Sequence, residues 1–127
     1  MSDGYDVVVV GARCAGASLA IHLARAGSSV ALLDRATFPS DTPSTHFFQA
    51  EGSACLARLG MLDRVLAAGA PWLEQLDVYF EGLHVSEPWF TLPTDPGPAL
   101  CVRRPVLDTA LVEAAREAGA EVHTGTR

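Results

Sequence analysis

The chain has 127 residues, of which 49% are hydrophobic and 19% are charged, and its formal net charge is −6. This length and apolar content predict one globular domain with a real core and exclude an intrinsically disordered chain. The negative charge argues against nucleic acid or an anionic membrane surface as a partner. No stretch has the uninterrupted apolar length of a signal peptide or a membrane span.

Cysteine usage points to a reducing compartment. The three cysteines, Cys14, Cys55 and Cys101, lack C-x-x-C spacing. They are interpreted as reduced thiols with no metal or redox role, so a cytoplasmic protein is expected.

The most informative stretch of the chain runs from residue 5 to residue 35. Apolar β-branched residues over 7–10 predict a buried parallel strand that ends at Gly11. A glycine turn and a helix of small residues follow, Gly27 ends that helix, and a second apolar run closes at Asp34. This order of strand, glycine turn, helix, strand and acid predicts a βαβ unit that binds a dinucleotide.

The turn between strand and helix matches the needs of an ADP moiety. Gly11 allows a tight turn out of the strand, and Gly16 allows the helix to lie close to that strand. The amino end of the helix favours the pyrophosphate. Asp34 lies 18 residues after Gly16, near the roughly 20 expected for the acid that binds the ribose hydroxyls. The predicted pyrophosphate-binding residues are Gly11, Ala12, Arg13, Cys14, Ala15 and Gly16.

One arginine lies within this turn and a second follows Asp34. Arg13 stands where G-x-G-x-x-G has its middle glycine. Because this residue carries a side chain, the backbone cannot approach the pyrophosphate as it does at a glycine. We hypothesise that Arg13 supplies a charge-assisted contact to phosphate instead. Arg35 follows Asp34 directly and is kept as a cofactor-binding candidate, although a solvated arginine is the simpler interpretation.

An insertion over residues 36–104 separates this unit from a final helix and strand over 105–126. The insertion is predicted to contain a loop over 36–46, helices over 49–59 and 61–68, and strands within 73–90 and 99–103 that form a small antiparallel β-meander. Its aromatic residues are expected to pack the core of the meander; they are Trp72, Phe80, Trp89 and Phe90.

The end of the chain is predicted to rejoin the parallel sheet. Pro105 begins a helix with one apolar face, Gly119 ends it, and residues 120–124 form another parallel strand. Three parallel strands with open edges make a marginal sheet, so we expect the chain to be the first part of a larger protein.

The chain resembles the N-terminal part of FAD-dependent monooxygenases with the p-hydroxybenzoate hydroxylase fold, a group that includes geranylgeranyl-reductase-like oxidoreductases. The matching segments are VVVVGARCAGASLA at 7–20, LLDRATFPSDTPSTH at 32–46 and RRPVLDTALVEAAREAGAEV at 103–122. The resemblance implies an α/β fold, a Rossmann-like FAD-binding domain with a parallel sheet and the antiparallel insertion. The family's later DG and GD motifs and its substrate domain have no counterpart, so the domain is expected to be truncated.

The resemblance also implies ligands and residue roles. It implies FAD as the cofactor, NAD(P)H as the electron donor and a small organic molecule as the substrate. Arg104 begins an R-x-x-L-D stretch that places an arginine beside the ribityl and phosphate region of the flavin, and the adjacent Arg103 is an alternative. The segment that ends at His46 matches one that approaches the isoalloxazine. A proton-transfer role for His46 is the less favoured interpretation.

Four functions remain open from the sequence. The leading one is a flavin-dependent monooxygenase, and the second is a flavin reductase that acts on isoprenoid double bonds. An NAD(P)-dependent dehydrogenase is the third, although the insertion over 36–104 argues against it. The fourth is a nucleotide-binding module without turnover. No Ser-His-Asp set or metal-ligand cluster can be assembled, which agrees with chemistry supplied by a flavin.

Overall fold

The computed structural model describes residues 4–126, which form two compact units. The first unit contains the described residues up to Ser44 and those from Arg104 onward, and the second unit is Thr45–Arg103. In chain order the elements are β1 (Val7–Val10), α1 (Cys14–Arg25), β2 (Val30–Asp34), β3 (Phe47–Phe48), α2 (Ala50–Leu59), α3 (Leu62–Ala67), β4 (Trp72–Leu73), β5 (Gln75–Phe80), β6 (Leu83–Pro88), β7 (Ala99–Cys101), α4 (Arg104–Glu117) and β8 (Glu121–Thr124).

The first unit is built on a parallel sheet whose described strands have the order β1-β2-β8. Val7 pairs with Val30 where β1 meets β2, and Asp34 pairs with Thr124 where β2 meets β8. Gly27 follows α1 with a positive φ of 91°. The predicted βαβ unit and the predicted parallel strand near the end of the chain are therefore confirmed.

Two helices cover this sheet and pack on each other. The buried face of α1 consists of two alanines and an isoleucine: Ala17, Ala20 and Ile21 are each 0% exposed. On α4, Leu107 and Leu111 are each 1% exposed. The predicted helix is confirmed, and it begins at Arg104, one residue before the proline.

The prediction of a fully buried first strand is wrong for one face of β1. Val9 is 8% exposed, whereas Val8 is 54% and Val10 is 83% exposed. In the described sheet β1 is an edge strand, so only the face that carries Val9 is covered. β2 lies in the centre of the sheet, and four of its five residues are buried.

The second unit contains the antiparallel strands that the sequence predicts, arranged as two separate sheets. Over Thr45–Arg103, β7 pairs with β3 on one side and with β4 on the other, and β5 and β6 form a hairpin. The helices α2 and α3 lie within this unit, and α2 ends at Gly60 in a left-handed conformation. Each of β3 and β4 has only two residues, too few for the alternation of apolar and polar residues that predicts a strand.

The aromatic residues of the second unit do not form the expected core. Phe80 is 67% exposed and Phe90 is 78% exposed, and every residue of β5 and β6 is exposed. Trp89 instead makes an edge contact with Phe47, with ring centroids 5.9 Å apart. The alternation of apolar and polar side chains in β5 therefore belongs to the two faces of an exposed hairpin. Within residues 4–126 no helix has the length and apolar character needed to cross a membrane.

Candidate cofactor site

Two glycines shape the turn between β1 and α1. Gly11 has a φ of +102°, which residues with a side chain rarely adopt. A Cβ atom on Gly16 would lie 1.8 Å from the carbonyl oxygen of Gly11 and 3.2 Å from Cγ1 of Val9. The first turn of α1 therefore rests directly on the end of β1, as the sequence predicts.

The amino end of α1 presents backbone amides, and none of the described residues of its own first turn is acidic. Arg13 is the N-cap residue with extended backbone, and the described side chains form no capping hydrogen bond there. The first helical hydrogen bond joins Ala17 N to Arg13 O at 2.9 Å, so the amides of Cys14, Ala15 and Gly16 precede it. This end of the helix dipole favours a bound anion.

Asp34 closes β2 and holds the turn through its carboxylate. The residue is 8% exposed. Oδ2 accepts the amide of Ala12 at 2.7 Å, and Oδ1 accepts the amide of Ala36 at 2.7 Å. Each carboxylate oxygen has a further acceptor site, so these bonds are compatible with the predicted ribose contact, which stays a prediction.

A cleft of about 720 Å³ opens at the carboxyl ends of the parallel strands. This is the place where open α/β sheets bind their ligands. Three of the predicted cofactor-binding residues, Gly11, Asp34 and Arg35, line it together. The other lining residues are Val10, Leu33 and Thr126.

Asp108 is a buried acid of α4 and the last residue of the R-x-x-L-D stretch, in which only the arginine was given a role from the sequence. Its side chain is 0% exposed and Oδ2 accepts Nη1 of Arg13 at 2.7 Å and Nη2 of Arg104 at 3.0 Å. Nε of Arg104 also donates to Oδ1 at 3.1 Å. Burying an unpaired carboxylate is strongly unfavourable, so two guanidinium partners account for its position. The signal in the sequence is an acid on the apolar face of a helix, four residues after an arginine.

Arg13 is engaged by several protein groups besides that acid. Nη1 donates to the carbonyl oxygen of Ser40 at 3.0 Å, Nη2 donates to Oγ of Ser40 at 3.0 Å, and the guanidinium lies 5.0 Å from the ring centroid of Phe38. With the bond to Asp108, these contacts use three of the five N–H donors of a guanidinium. The phosphate contact hypothesised for Arg13 stays a prediction.

The charge of Arg104 is secured by the same carboxylate. Burial alone would lower the pKa of Arg104, but the hydrogen bond and the charge of Asp108 outweigh it and leave that pKa above its ordinary value. Arg104 is therefore cationic at neutral pH. Arg103, the alternative arginine, is exposed and belongs to the second unit.

Cys14 completes the group of donors around the buried carboxylate. Its Sγ lies 3.3 Å from Oδ1 of Asp108. Burial and the negative charge of Asp108 raise the pKa of this thiol to about 11. A helix amino end ordinarily lowers a thiol pKa, so burial and the carboxylate dominate here. Cys14 is thus a protonated thiol that donates to Asp108.

His46 lies in the second unit and is described there separately from the residues above. Its φ is 61°, an uncommon value for a residue with a side chain. Its carbonyl oxygen accepts the amide of Val102 at 2.7 Å. The candidates that the structure brings together are therefore those of the first unit, and the flavin-facing role of His46 stays a prediction.

We predict that Gly16→Ala lowers the free energy of unfolding by about 3 kcal/mol, the upper end of the range for overpacking. The added Cβ would collide with backbone atoms of Gly11, which cannot move without displacing the turn. Gly4→Ala is the control, because no heavy atom of the described residues lies within 4 Å of its Cβ position. Urea unfolding followed by circular dichroism measures both, and equal losses would contradict the close approach of helix and turn.

We predict that iodoacetamide modifies Cys14 only as the pH approaches 11, the value to which its pKa is raised. The thiolate is the reactive form, so at pH 8 the rate is about one thousandth of its limiting value. Cys55 is exposed in the same chain and serves as the internal control. Mass spectrometry of labelled peptides gives both rates, and modification of Cys14 at pH 8 as fast as that of Cys55 would refute the assignment.

Comparisons with known proteins identify the family of this chain. A family model described as "FAD binding domain" matches residues 4–127. The menaquinone reductase of Mycolicibacterium smegmatis is 35% identical over 133 aligned residues, which cover 100% of this chain and 30% of that protein. The rifampicin monooxygenase of Rhodococcus hoagii is 30% identical over 122 residues, covering 96% of this chain and 25% of that protein.

A solved structure extends the likeness to the fold. The myxobacterial chondrochloren halogenase CndH, a variant of FAD-dependent halogenases, has a TM-score of 0.83 and 26% sequence identity, and the match covers 95% of this chain and 28% of that one. The chain thus spans about 30% of the length of the first curated relatives that it matches. Since the family model covers nearly all of the chain and the fold agrees with it, the chain belongs to the family of FAD-binding domains with the p-hydroxybenzoate hydroxylase fold.

Proposed function

We propose that this domain binds the ADP part of FAD in the cleft at the carboxyl ends of its parallel strands. The observation that supports this most strongly is the position of Asp34, which lines the cleft and accepts the amide of Ala12 at 2.7 Å. The acid predicted for the ribose is thereby fixed against the turn predicted for the pyrophosphate. Both groups lie at the carboxyl ends of the parallel strands, where dinucleotides bind.

One cluster of charges in the first unit suits a diphosphate. Arg13 and Arg104 are two cations that share one carboxylate, Asp108, so this group has an excess of one positive charge. It lies beside the amino end of α1, which also favours an anion. We propose that the amides of the α1 amino end hold the pyrophosphate and that Arg104 supports the ribityl and phosphate region.

We further propose that the protein with this domain is an FAD-dependent oxidoreductase, a flavoprotein of the monooxygenase type. It would take electrons from NAD(P)H and act on a small organic molecule in the cytoplasm. The bound flavin would supply the electron-transfer chemistry, while the chain binds the cofactor, orients it and excludes water. A relative named rifampicin monooxygenase, 30% identical over 96% of this chain, supports this proposal.

A flavin reductase is the second candidate, and one comparison favours it. The relative named menaquinone reductase is 35% identical over 100% of this chain. The two candidates differ in their use of oxygen. With NAD(P)H and its substrate, a monooxygenase consumes dissolved oxygen and stops under anaerobic conditions, whereas a reductase continues without oxygen. Measuring nicotinamide oxidation with an oxygen electrode, with and without air, separates them in the protein that contains this domain.

We predict that the chain takes up FAD and that Asp34→Asn weakens this binding at least about tenfold. An amide retains only one acceptor oxygen and no charge, so it cannot hold both Ala12 and Ala36 and also accept a ribose hydroxyl. Quenching of flavin fluorescence during a titration gives both dissociation constants. Asp63→Asn, an exposed aspartate in α3, is the matched control and should leave the affinity unchanged.

Competition experiments show which part of the cofactor is bound. ADP should displace FAD, while riboflavin, which lacks the diphosphate and adenosine, should not. A folded chain that takes up no FAD would refute the proposed function. FAD uptake without nicotinamide oxidation by the protein that contains this domain would support the nucleotide-binding module instead.

A further inference from the structure

We infer that Asp108 is a positioning residue of the cofactor site, a buried carboxylate that fixes Arg13 and Arg104 and thereby locks the glycine turn to α4. This inference rests on the proposed binding of FAD by the first unit. It assigns a role to an acid that lies outside the glycine motif and that has no predicted contact with the cofactor.

The geometry around Asp108 is that of a carboxylate saturated by donors. Arg13 donates at 2.7 Å, Arg104 donates at 3.0 and 3.1 Å, and the thiol of Cys14 lies at 3.3 Å. Both oxygens have partners, and the side chain is 0% exposed. A buried carboxylate that loses one of its donors is strongly destabilising, so the burial of this acid depends on the donors that surround it.

The position of the donors in the chain shows what this network joins. Arg13 is the N-cap of α1 and lies 95 residues before Asp108 in the sequence. Cys14 is the first residue of α1, and Arg104 is the first residue of α4. One carboxylate thus connects the two helix starts that the proposed function places beside the cofactor.

The same contacts favour a positioning role for Arg13 over a direct phosphate contact. Its guanidinium bonds to Asp108 and to two oxygens of Ser40, and it lies against the ring of Phe38. These partners come from α4 and from the loop after β2, so Arg13 joins three segments of the first unit. Removing either Arg13 or Asp108 breaks the same connection.

A double-mutant cycle tests this inference. We expect Arg13→Ala and Asp108→Asn each to weaken FAD binding by about tenfold to a hundredfold, and the double variant to bind about as weakly as the worse single variant. Independent roles would instead multiply the two losses. Asp6→Asn is the control, because this exposed aspartate of the first unit accepts a hydrogen bond, from the amide of Ser29 at 2.8 Å, but has no predicted contact with the cofactor.

Two further measurements separate positioning from a general loss of folding. Hydrogen exchange should become faster at the turn amides over 11–16 in Asp108→Asn while β7 keeps its protection. The pH at which Cys14 is alkylated should fall below about 11, because the carboxylate that raises the pKa of that thiol has lost its charge. Global loss of protection would mean that Asp108 serves stability alone and would overturn the inference.

The outcomes also distinguish this inference from the proposed function. If the unaltered chain does not bind FAD, both are refuted. If it binds FAD and Asp108→Asn binds equally tightly, or if the losses of the two single variants multiply, the inference is refuted and the proposed function stands.

Discussion

The close contact between Gly16 and the carbonyl oxygen of Gly11 is the constraint on which the first unit depends. A Cβ atom at Gly16 would lie 1.8 Å from that oxygen, so the helix can reach the end of the strand only with glycine there. This contact places the amino end of α1 beside the carboxyl ends of the strands. Backbone amides at that end favour a bound anion. Every proposed role of the turn follows from this placement.

Two carboxylates hold this arrangement from opposite sides. Asp34 accepts the amide of Ala12 in the turn, and Asp108 accepts the guanidinium of Arg13 at the helix cap. Both acids are at least nine-tenths buried, and both are paired with donors in the manner that burial requires. The pairing differs in charge: Asp34 meets neutral amides, whereas Asp108 meets two cations. The second group keeps an excess positive charge near the predicted pyrophosphate position, and this electrostatic difference suits a cofactor with an anionic centre.

Local features of the site were predictable from the sequence because their causes are local. The glycine turn, the acid at the end of β2 and the helix predicted from Pro105 follow from periodicity, chain breakers and short-range spacing. The role of Asp108 was not predicted because Arg13, one of its two arginine partners, is 95 residues away in the sequence, and no short pattern records such a pair. The exposure of Val8 and Val10 depends on which strand is at the edge, and strand order is a tertiary property. The exposed hairpin of β5 and β6 has the alternation of a half-buried strand, so the pattern alone predicted a core for the meander, whereas the buried apolar residues of this unit lie outside the hairpin.

The central claim is that an ADP diphosphate binds at the amino end of α1. Nuclear magnetic resonance of the ¹⁵N-labelled chain during a titration with ADP tests it most directly. We predict saturable shifts of the amide resonances of Ala12, Cys14, Ala15 and Gly16, with β5 and β6 unaffected. Saturable shifts confined to other residues, or no shifts at millimolar ADP in a folded chain, would contradict the account.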